Sequence, residues 1–134
     1  MKHVRRILEK KGNVIYFVSP NDTVFRALEM MSEKSVSALL VKDGDELVGI
    51  ISEKDYARKV ALLGRSSKEE LVKEIMTTEV IYVNPDQTLE ECMALMSDKH
   101  IRHLPVFEDD KLIGIISIGD VVKAIIEEKQ FVIQ

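Results

Sequence analysis

The stretch that decides the fold is "GIISEKD" at residues 49–55, because the chain repeats it almost unchanged as "GIISIGD" at residues 114–120. Five of the seven letters are identical, and the offset between the two phrases is 65 residues. The whole chain has 134 residues, about the length of one ordinary domain. We therefore expect two similar halves that share one modest hydrophobic core.

The similarity extends well beyond this phrase. An offset of 65 residues aligns residues 18–60 with 83–125 without a gap, and about a third of the pairs are identical. Two copies are too few for a solenoid, so the repeat predicts two units paired about an internal pseudo-twofold axis, over residues 1–65 and 66–134. The N-terminal "VRRILEKK" resembles "VKEIM" in the connection between the copies, and we expect each segment to flank the opposite copy.

Each copy has the same predicted order of elements, β-α-β-β-α, which makes the fold class α/β of the α+β type. A short β-rich run ends at a proline, an amphipathic helix follows, and a hairpin leads into a closing helix. Thr88 and Glu91 have the spacing of a capping box at the start of the second copy's helix. The β-rich runs are Val14–Val18 and Val80–Val83, and the hairpin strands are 38–42 with 46–51 and 103–107 with 111–117.

Composition excludes several classes of protein. The net charge of −4 and the pI near 5.4 argue against a general nucleic-acid binder, which carries a basic excess. No apolar stretch approaches the 18 residues needed to span a bilayer, and the first residues lack a signal-peptide core. A single cysteine, Cys92, fits a reducing compartment. We expect a cytoplasmic protein.

The serine and the aspartate of each repeated phrase have two interpretations. Ser52 with Asp55, and Ser117 with Asp120, have the spacing of a helix N-cap with an acid at the third helical position. Alternatively, an aspartate at the end of a strand can accept two hydrogen bonds from the cis-diol of a ribose. Gly49 and Gly114 within the apolar strands indicate that another strand or a flat ligand approaches the backbone there. Both interpretations stay open.

The doubled unit resembles a tandem pair of CBS domains, the modules called after cystathionine β-synthase. The resemblance covers nearly the whole chain, and phrases such as "SEKDYARKV", "IRHLPV" and "GIISIGDVVKAII" are similar to stand-alone proteins that consist of one CBS pair. It implies a sensing module without catalysis that commonly forms a homodimer. It also implies two clefts between the units for adenosine compounds, with AMP as the first candidate and ADP, ATP, NAD(H) or S-adenosylmethionine as others.

The same resemblance assigns residues to the two clefts. In one, Ser52 and Asp55 would hold ribose, with Ile50, Ile81, Ile101 and Pro105 around the base and Arg102 and His103 near phosphate. In the other, Ser117 and Asp120 would hold ribose, with Tyr16, Ile115, Val36 and Leu40 around the base and Lys54 near phosphate. The copies differ in charge, so equal affinity is not expected.

Other residues point to no catalytic or metal site. The three histidines lack the spacing of metal ligands, and no nucleophile motif, phosphate loop or paired catalytic carboxylate occurs. Cys92 lies on an apolar helical face, which favours packing over a redox or nucleophilic role. The "EKK" and "ARKV" clusters are interpreted as solvated helix faces. The alternative to a nucleotide sensor is a ligand-independent scaffold for dimerisation or protein interaction.

Overall fold

The computed structural model describes the backbone of residues 2–133 and the side chains of residues 2–129. A π-helical turn, Ala57–Ala61, continues the short helix Glu53–Tyr56. No helix in this part of the chain is long and apolar enough to cross a membrane. The elements are, in order, α1 (Val4–Lys11), β1 (Phe17–Val18), α2 (Val24–Lys34), β2 (Ala38–Asp43), β3 (Glu46–Ser52), α3 (Glu53–Tyr56), α4 (Val72–Ile75), α5 (Leu89–Lys99), β4 (His103–Glu108), β5 (Lys111–Ser117) and α6 (Ile118–Ile133).

The chain divides into two compact units. The first-repeat unit is Tyr16–Val80, and the second-repeat unit combines residues 1–15 with residues 81–134. The N-terminal segment thus belongs to the unit of the second repeat, as its resemblance to "VKEIM" predicts. The predicted units 1–65, with the N-terminal flanking segment, and 66–134, with the connecting helix, have other bounds than these two compact units and stay a prediction; their outermost residues, Met1 and Gln134, lie outside the described residues.

The first-repeat unit contains a three-stranded sheet in the order β1-β2-β3. Strand β1 pairs parallel to β2, and β2 and β3 form an antiparallel hairpin with Gly44 in its turn at φ 61°. Helix α2 buries Val24, Ala27 and Met31, as the helical spacing predicts. The predicted strand Val14–Val18 is shorter in the structure, where only Phe17 and Val18 pair.

The second-repeat unit repeats this plan with one strand fewer. Strands β4 and β5 form an antiparallel hairpin, and the predicted strand Val80–Val83 is reduced to a bridge between Val83 and Val106. In the first repeat the amide of Leu40 donates to the carbonyl of Tyr16. The aligned residue is Pro105, which has no N–H, so the parallel ladder loses a hydrogen bond there.

Each unit has its own hydrophobic cluster, rather than the single shared core expected from the chain length. In the second-repeat unit α5 buries Leu89, Cys92 and Met96, and the predicted capping box of Thr88 and Glu91 is confirmed.

The flanking helices α4 and α1 dock on their units through equivalent backbone hydrogen bonds. The amides of Val72 and Lys73 donate to the carbonyls before α2, and those of Val4 and Arg5 to the carbonyls before α5.

The two glycines of the repeated phrase accommodate these flanking segments. A Cβ at Gly114 would lie 2.6 Å from Cδ2 of Leu8 in α1. A Cβ at Gly49 would lie 2.8 Å from Sδ of Met76 and 2.9 Å from the backbone oxygen of Thr77, which forms a bridge with Ile50. The close approach inferred from the sequence is therefore made by the protein's own flanking segments.

We expect Gly49→Ala to lower the free energy of unfolding by about 1–3 kcal/mol, because the added methyl overpacks a contact with rigid backbone. Gly114→Ala should lower it less, since the side chain of Leu8 can rotate away. Urea unfolding monitored by circular dichroism measures both changes. Gly119→Ala is the control, because its Cβ would meet only Ser117 Oγ at 3.6 Å. Equal stability of Gly49→Ala and this control would contradict the packing argument.

Candidate functional site at the serine-aspartate junctions

Each repeat joins its last strand to its closing helix through a serine and an aspartate. We call Ser52 with Asp55 the first junction, and Ser117 with Asp120 the second junction. At the first junction the Ser52 amide and hydroxyl donate to Asp55 Oδ2 at 2.9 and 3.1 Å, and the Asp55 amide donates to Ser52 Oγ at 3.3 Å. This is a reciprocal capping box, so the capping interpretation is confirmed there.

The other carboxylate oxygen at the first junction faces two further donors. The Thr77 hydroxyl donates to Asp55 Oδ1 at 3.2 Å, and the ammonium of Lys59 lies 3.1 Å from the same oxygen. Lys59 also donates to the carbonyl of Ile75 at 2.9 Å, which ties its position to the flanking segment. Asp55 is the buried charged residue of the described chain, 9% exposed, and these donors compensate its burial.

The second junction has the same cap and a different third partner. The Ser117 amide donates to Asp120 Oδ2 at 2.8 Å, and the Asp120 amide donates to Ser117 Oγ at 3.1 Å. The Lys11 ammonium, from the end of α1, donates to Asp120 Oδ2 at 2.7 Å. An ionised carboxylate has about four acceptor positions, so these contacts are compatible with additional donors.

The environment of Asp120 favours its ionised form. Burial raises the pKa of this carboxyl, but the hydrogen bonds from Lys11 and from Ser117, with the charge of Lys11, outweigh burial and hold the pKa below its ordinary value. Asp120 is therefore an anion at neutral pH. A carboxylate in this state accepts hydrogen bonds and donates none, which suits the hydroxyl groups of a sugar.

His103 lies beside the second junction, because it pairs with Ser117 across the β4–β5 hairpin. Burial is the main cause that lowers the pKa of its imidazole to about 4, and the positive charges of Lys11 and Arg102 contribute to this lowering against the opposing effect of Asp120. His103 is therefore neutral at pH 7. The contact of His103 with phosphate stays a prediction. At neutral pH the imidazole would make this contact as an uncharged hydrogen-bond donor.

The remaining sequence-predicted residues are divided between the two units. In the first-repeat unit Leu40 is fully buried, Lys54 is exposed, and the others are half-buried: Tyr16, Val36 and Ile50. In the second-repeat unit Pro105 is buried, Arg102 is exposed, and the others are half-buried: Ile81, Ile101 and Ile115. The structure brings Ser52 together with Asp55, and Ser117 together with Asp120 and His103. The predicted roles of the other residues stay predictions.

Sequence reasoning missed three residues at the junctions: Lys11, Lys59 and Thr77. The side chains of Lys11 and Lys59 are 34% and 44% exposed, which fits the interpretation of the "EKK" and "ARKV" clusters as solvated faces, but their ammonium groups also contact the junction aspartates. The i, i+4 spacing from Asp55 to Lys59 was a usable signal. Lys11 and Asp120 are 109 residues apart, so no local pattern could connect them.

Cys92 and the histidines form no metal-ligand cluster in the part of the chain that the structure describes. Burial, with the nearby charges of Glu91 and Glu90, raises the pKa of the Cys92 thiol to about 11, so the thiol stays protonated at neutral pH. Its side chain is fully buried in the cluster of the second-repeat unit. Within residues 2–133, His, Cys, Asp and Glu side chains form no group of three or more that could hold a metal ion.

Comparisons with known proteins agree with the repeated architecture. A family model described as CBS domain matches twice, over residues 4–62 and 72–127. The CBS domain-containing protein CBSX3, mitochondrial, of Arabidopsis thaliana is 47% identical over 113 residues, which cover 81% of this chain and 55% of that protein. This chain thus spans about half the length of that relative.

Solved structures show the same fold. A protein with CBS domains from Burkholderia ambifaria MC40-6 is 53% identical, with a TM-score of 0.91 over 94% of this chain and 95% of that chain. The CBS domain pair of protein MJ0100 is 25% identical, with a TM-score of 0.81 over 96% of this chain and 98% of that chain. That structure is a complex with 5-methylthioadenosine and S-adenosyl-L-methionine.

The lowered pKa of His103 predicts a pH dependence of stability. Between about pH 6.5 and pH 4 the unfolded chain binds a proton at this imidazole and the folded chain does not, so the free energy of unfolding falls as the pH falls through this window. We expect the free energy of unfolding of His103→Gln to fall less than that of the wild type over this pH range. Urea midpoints at pH 4.5 and pH 7 measure it. His3→Gln, which changes an exposed side chain, is the control. The same change of stability between pH 7 and pH 4.5 in the wild type and both variants would refute the argument.

Proposed function

The chain belongs to the CBS domain family, and from this premise we propose that it is a regulatory module that binds an adenosine-containing ligand at its serine-aspartate junctions. The observation that carries the proposal is the duplicated carboxylate. Each repeat positions one aspartate in the first turn of the helix that follows a strand, held by reciprocal hydrogen bonds to a serine. The CBS domain pair of MJ0100, solved with two adenosine compounds, supports this ligand class.

The carboxylate at the first junction can cap a helix and bind a ribose at the same time. Ser52 donates to Oδ2 of Asp55, whereas Thr77 and Lys59 contact Oδ1 of Asp55. A ribose cis-diol donating to Oδ1 would replace the Thr77 and Lys59 contacts and leave the cap intact. The capping interpretation therefore does not compete with the ribose interpretation, since the two functions use different oxygens.

We propose AMP as the first candidate ligand, with ADP, ATP and NAD(H) as further candidates. Each junction has an ammonium group within 3.1 Å of its carboxylate, from Lys59 at the first and Lys11 at the second. A cation beside a ribose site favours ligands that carry phosphate. The proposal includes clefts lined by the side chains assigned from the family resemblance, with Arg102, His103 and Lys54 near phosphate.

The proposed role is sensing without catalysis. Ligand binding would bias the conformations of the module, and a regulated protein would respond to this change of population. We also propose a cytoplasmic homodimer. The exposed apolar side chains of Val122 and Ile126 on α6, 39% and 49% accessible, support a protein contact on this helix.

A ligand-independent scaffold is the second candidate function. Two observations favour it: the junction aspartates are already paired with protein donors, and Leu62 and Leu63 after α3 are 79% and 60% exposed. In this alternative the repeated phrases serve only to cap helices, and the exposed apolar residues bind a second protein. It predicts that no nucleotide affects stability or assembly.

The first experiment identifies any ligand that copurifies. The purified protein is denatured, and the released small molecules are analysed by mass spectrometry after the ratio of absorbance at 260 and 280 nm has been recorded. The chain has no tryptophan and three tyrosines, so bound adenine would dominate the spectrum. We expect an adenosine compound. Nothing released, followed by calorimetric titrations with AMP, ATP and NADH that show no heat, would support the scaffold.

The second experiment separates ribose binding from helix capping. Asp55→Ala and Asp120→Ala should each remove one of the binding sites for AMP in isothermal titration calorimetry, because the ribose loses its acceptor. Glu91→Ala is the matched control, since it breaks the capping box of α5 outside the proposed sites. We expect it to lower the stability of α5 and to leave the stoichiometry of AMP binding unchanged.

Glutamate variants test binding at the same junctions if an alanine variant does not fold. Asp55→Glu and Asp120→Glu keep the charge and can cap the helix, but they move the carboxylate by one methylene. We expect folded proteins with weakened binding. Full stoichiometry and wild-type affinity in all four aspartate variants would contradict binding at the junctions.

A further inference from the structure

Donors of the first-repeat unit contact both carboxylate oxygens of Asp55. Oδ2 accepts from the Ser52 amide at 2.9 Å and from the Ser52 hydroxyl at 3.1 Å. Oδ1 lies 3.2 Å from the Thr77 hydroxyl and 3.1 Å from the Lys59 ammonium. An ionised carboxylate has about four acceptor positions, so these four donors fill them. A ligand can donate to Oδ1 of Asp55 only if Thr77 or Lys59 leaves this oxygen.

The contacts of Asp120 leave more room for a ligand. The Ser117 amide and the Lys11 ammonium both donate to Oδ2, at 2.8 and 2.7 Å. The side chain of Asp120 is 26% exposed, against 12% for Asp55. A ribose that donates to Oδ1 of Asp120 would displace neither of these two donors. The junctions therefore differ in what a ligand has to remove before it can bind.

The two repeats have different residues at the positions of Thr77 and Lys59. At the offset of 65 residues Lys59 aligns with Ala124, a buried residue whose side chain has no donor. The backbone hydrogen bonds that dock α4 and α1 make Glu9 the counterpart of Thr77. Glu9 lies within α1 and is exposed, whereas α4 ends at Ile75 and the chain after it runs back along β3. Both donors to Oδ1 are thus specific to the first repeat.

We propose that Thr77 and Lys59 compete with the ribose of a ligand for Asp55, so that the second junction fills first and the first junction fills only at higher ligand concentration. This inference rests on the proposed function. At Asp55 the ribose replaces hydrogen bonds that the protein already makes, and only the difference contributes to binding. At Asp120 the same hydroxyl groups add hydrogen bonds to those of the protein.

Thr77 is the stronger competitor of the two. Lys59 also donates to the carbonyl of Ile75 at 2.9 Å, so it keeps one partner when it leaves Asp55. The backbone of Thr77 exchanges two hydrogen bonds with Ile50, at 2.8 and 3.0 Å, so a ligand has only to rotate the side chain and does not have to detach the segment. The rotated hydroxyl loses a bond to a charged acceptor. We expect this loss to weaken ligand binding about tenfold, which corresponds to about 1.4 kcal/mol.

Isothermal titration calorimetry of the full chain with AMP tests the inference. Asp120→Ala leaves the first junction and Asp55→Ala leaves the second, and we expect the Asp55→Ala protein to bind AMP more tightly. Adding Thr77→Ala to Asp120→Ala should tighten binding about tenfold, because the competing hydroxyl is gone. Thr77→Ser retains a hydroxyl and should keep the weaker affinity. Thr78→Ala, which changes the exposed neighbouring side chain, is the matched control. Thr77→Val replaces Thr77→Ala if the latter does not fold.

The outcomes separate this inference from the proposed function. If the wild-type protein binds AMP but Thr77→Ala leaves the affinity of the first junction unchanged or lowers it, the competition is refuted and the nucleotide sites remain. Tightening that Thr78→Ala reproduces would indicate a general loosening of the segment and would also refute the role of Thr77. Tighter binding by Asp120→Ala than by Asp55→Ala would overturn the order of filling. Absence of AMP binding in the wild type and in every variant would overturn both proposals.

Discussion

The carboxylates of Asp55 and Asp120 hold together three parts of each unit. Each carboxylate accepts a hydrogen bond from the amide of the last residue of a strand and lies in the first turn of the following helix. Each also contacts the flanking segment that docks on the hairpin. A negative charge at a helix start is stabilised by the helix dipole and by the unpaired amides of the first turn. The same two charges are the groups that we propose to bind ribose, so stability and recognition depend on one interaction.

The flanking segments can reach these carboxylates because the hairpins carry glycine at the point of contact. Without a Cβ at Gly49 and Gly114, the segment after α4 and the helix α1 can lie directly against the strands. A larger residue at Gly49 would press against the backbone of Thr77, whereas a larger residue at Gly114 would meet the side chain of Leu8, which can rotate. The glycine, the serine and the aspartate of the repeated phrase therefore act as one structural unit, which explains why the chain contains them twice at the same spacing.

The two repeats differ in chemistry while their backbones follow the same plan. Proline at position 105 shortens one parallel ladder, and the flanking segment contacts its junction aspartate through the Thr77 hydroxyl in the first repeat and through the Lys11 ammonium in the second. His103 adds a neutral imidazole beside that junction, where the first repeat has Ala38. Equal architecture with unequal charge supports the expectation from the sequence that the two proposed sites do not bind with equal affinity.

The sequence by itself determined the repeat, the order of elements, the helix faces, the caps and the family, because each depends on spacing within a short window. Local hydrogen bonds such as those of Thr88 with Glu91 or Ser52 with Asp55 require only three residues of separation. The tertiary structure decided which segments face the aspartates. Lys11 reaches Asp120 across 109 residues of chain, and Leu8 occupies the space at Gly114 only once α1 has docked. Such contacts are set by packing, and a periodic pattern contains no information about them.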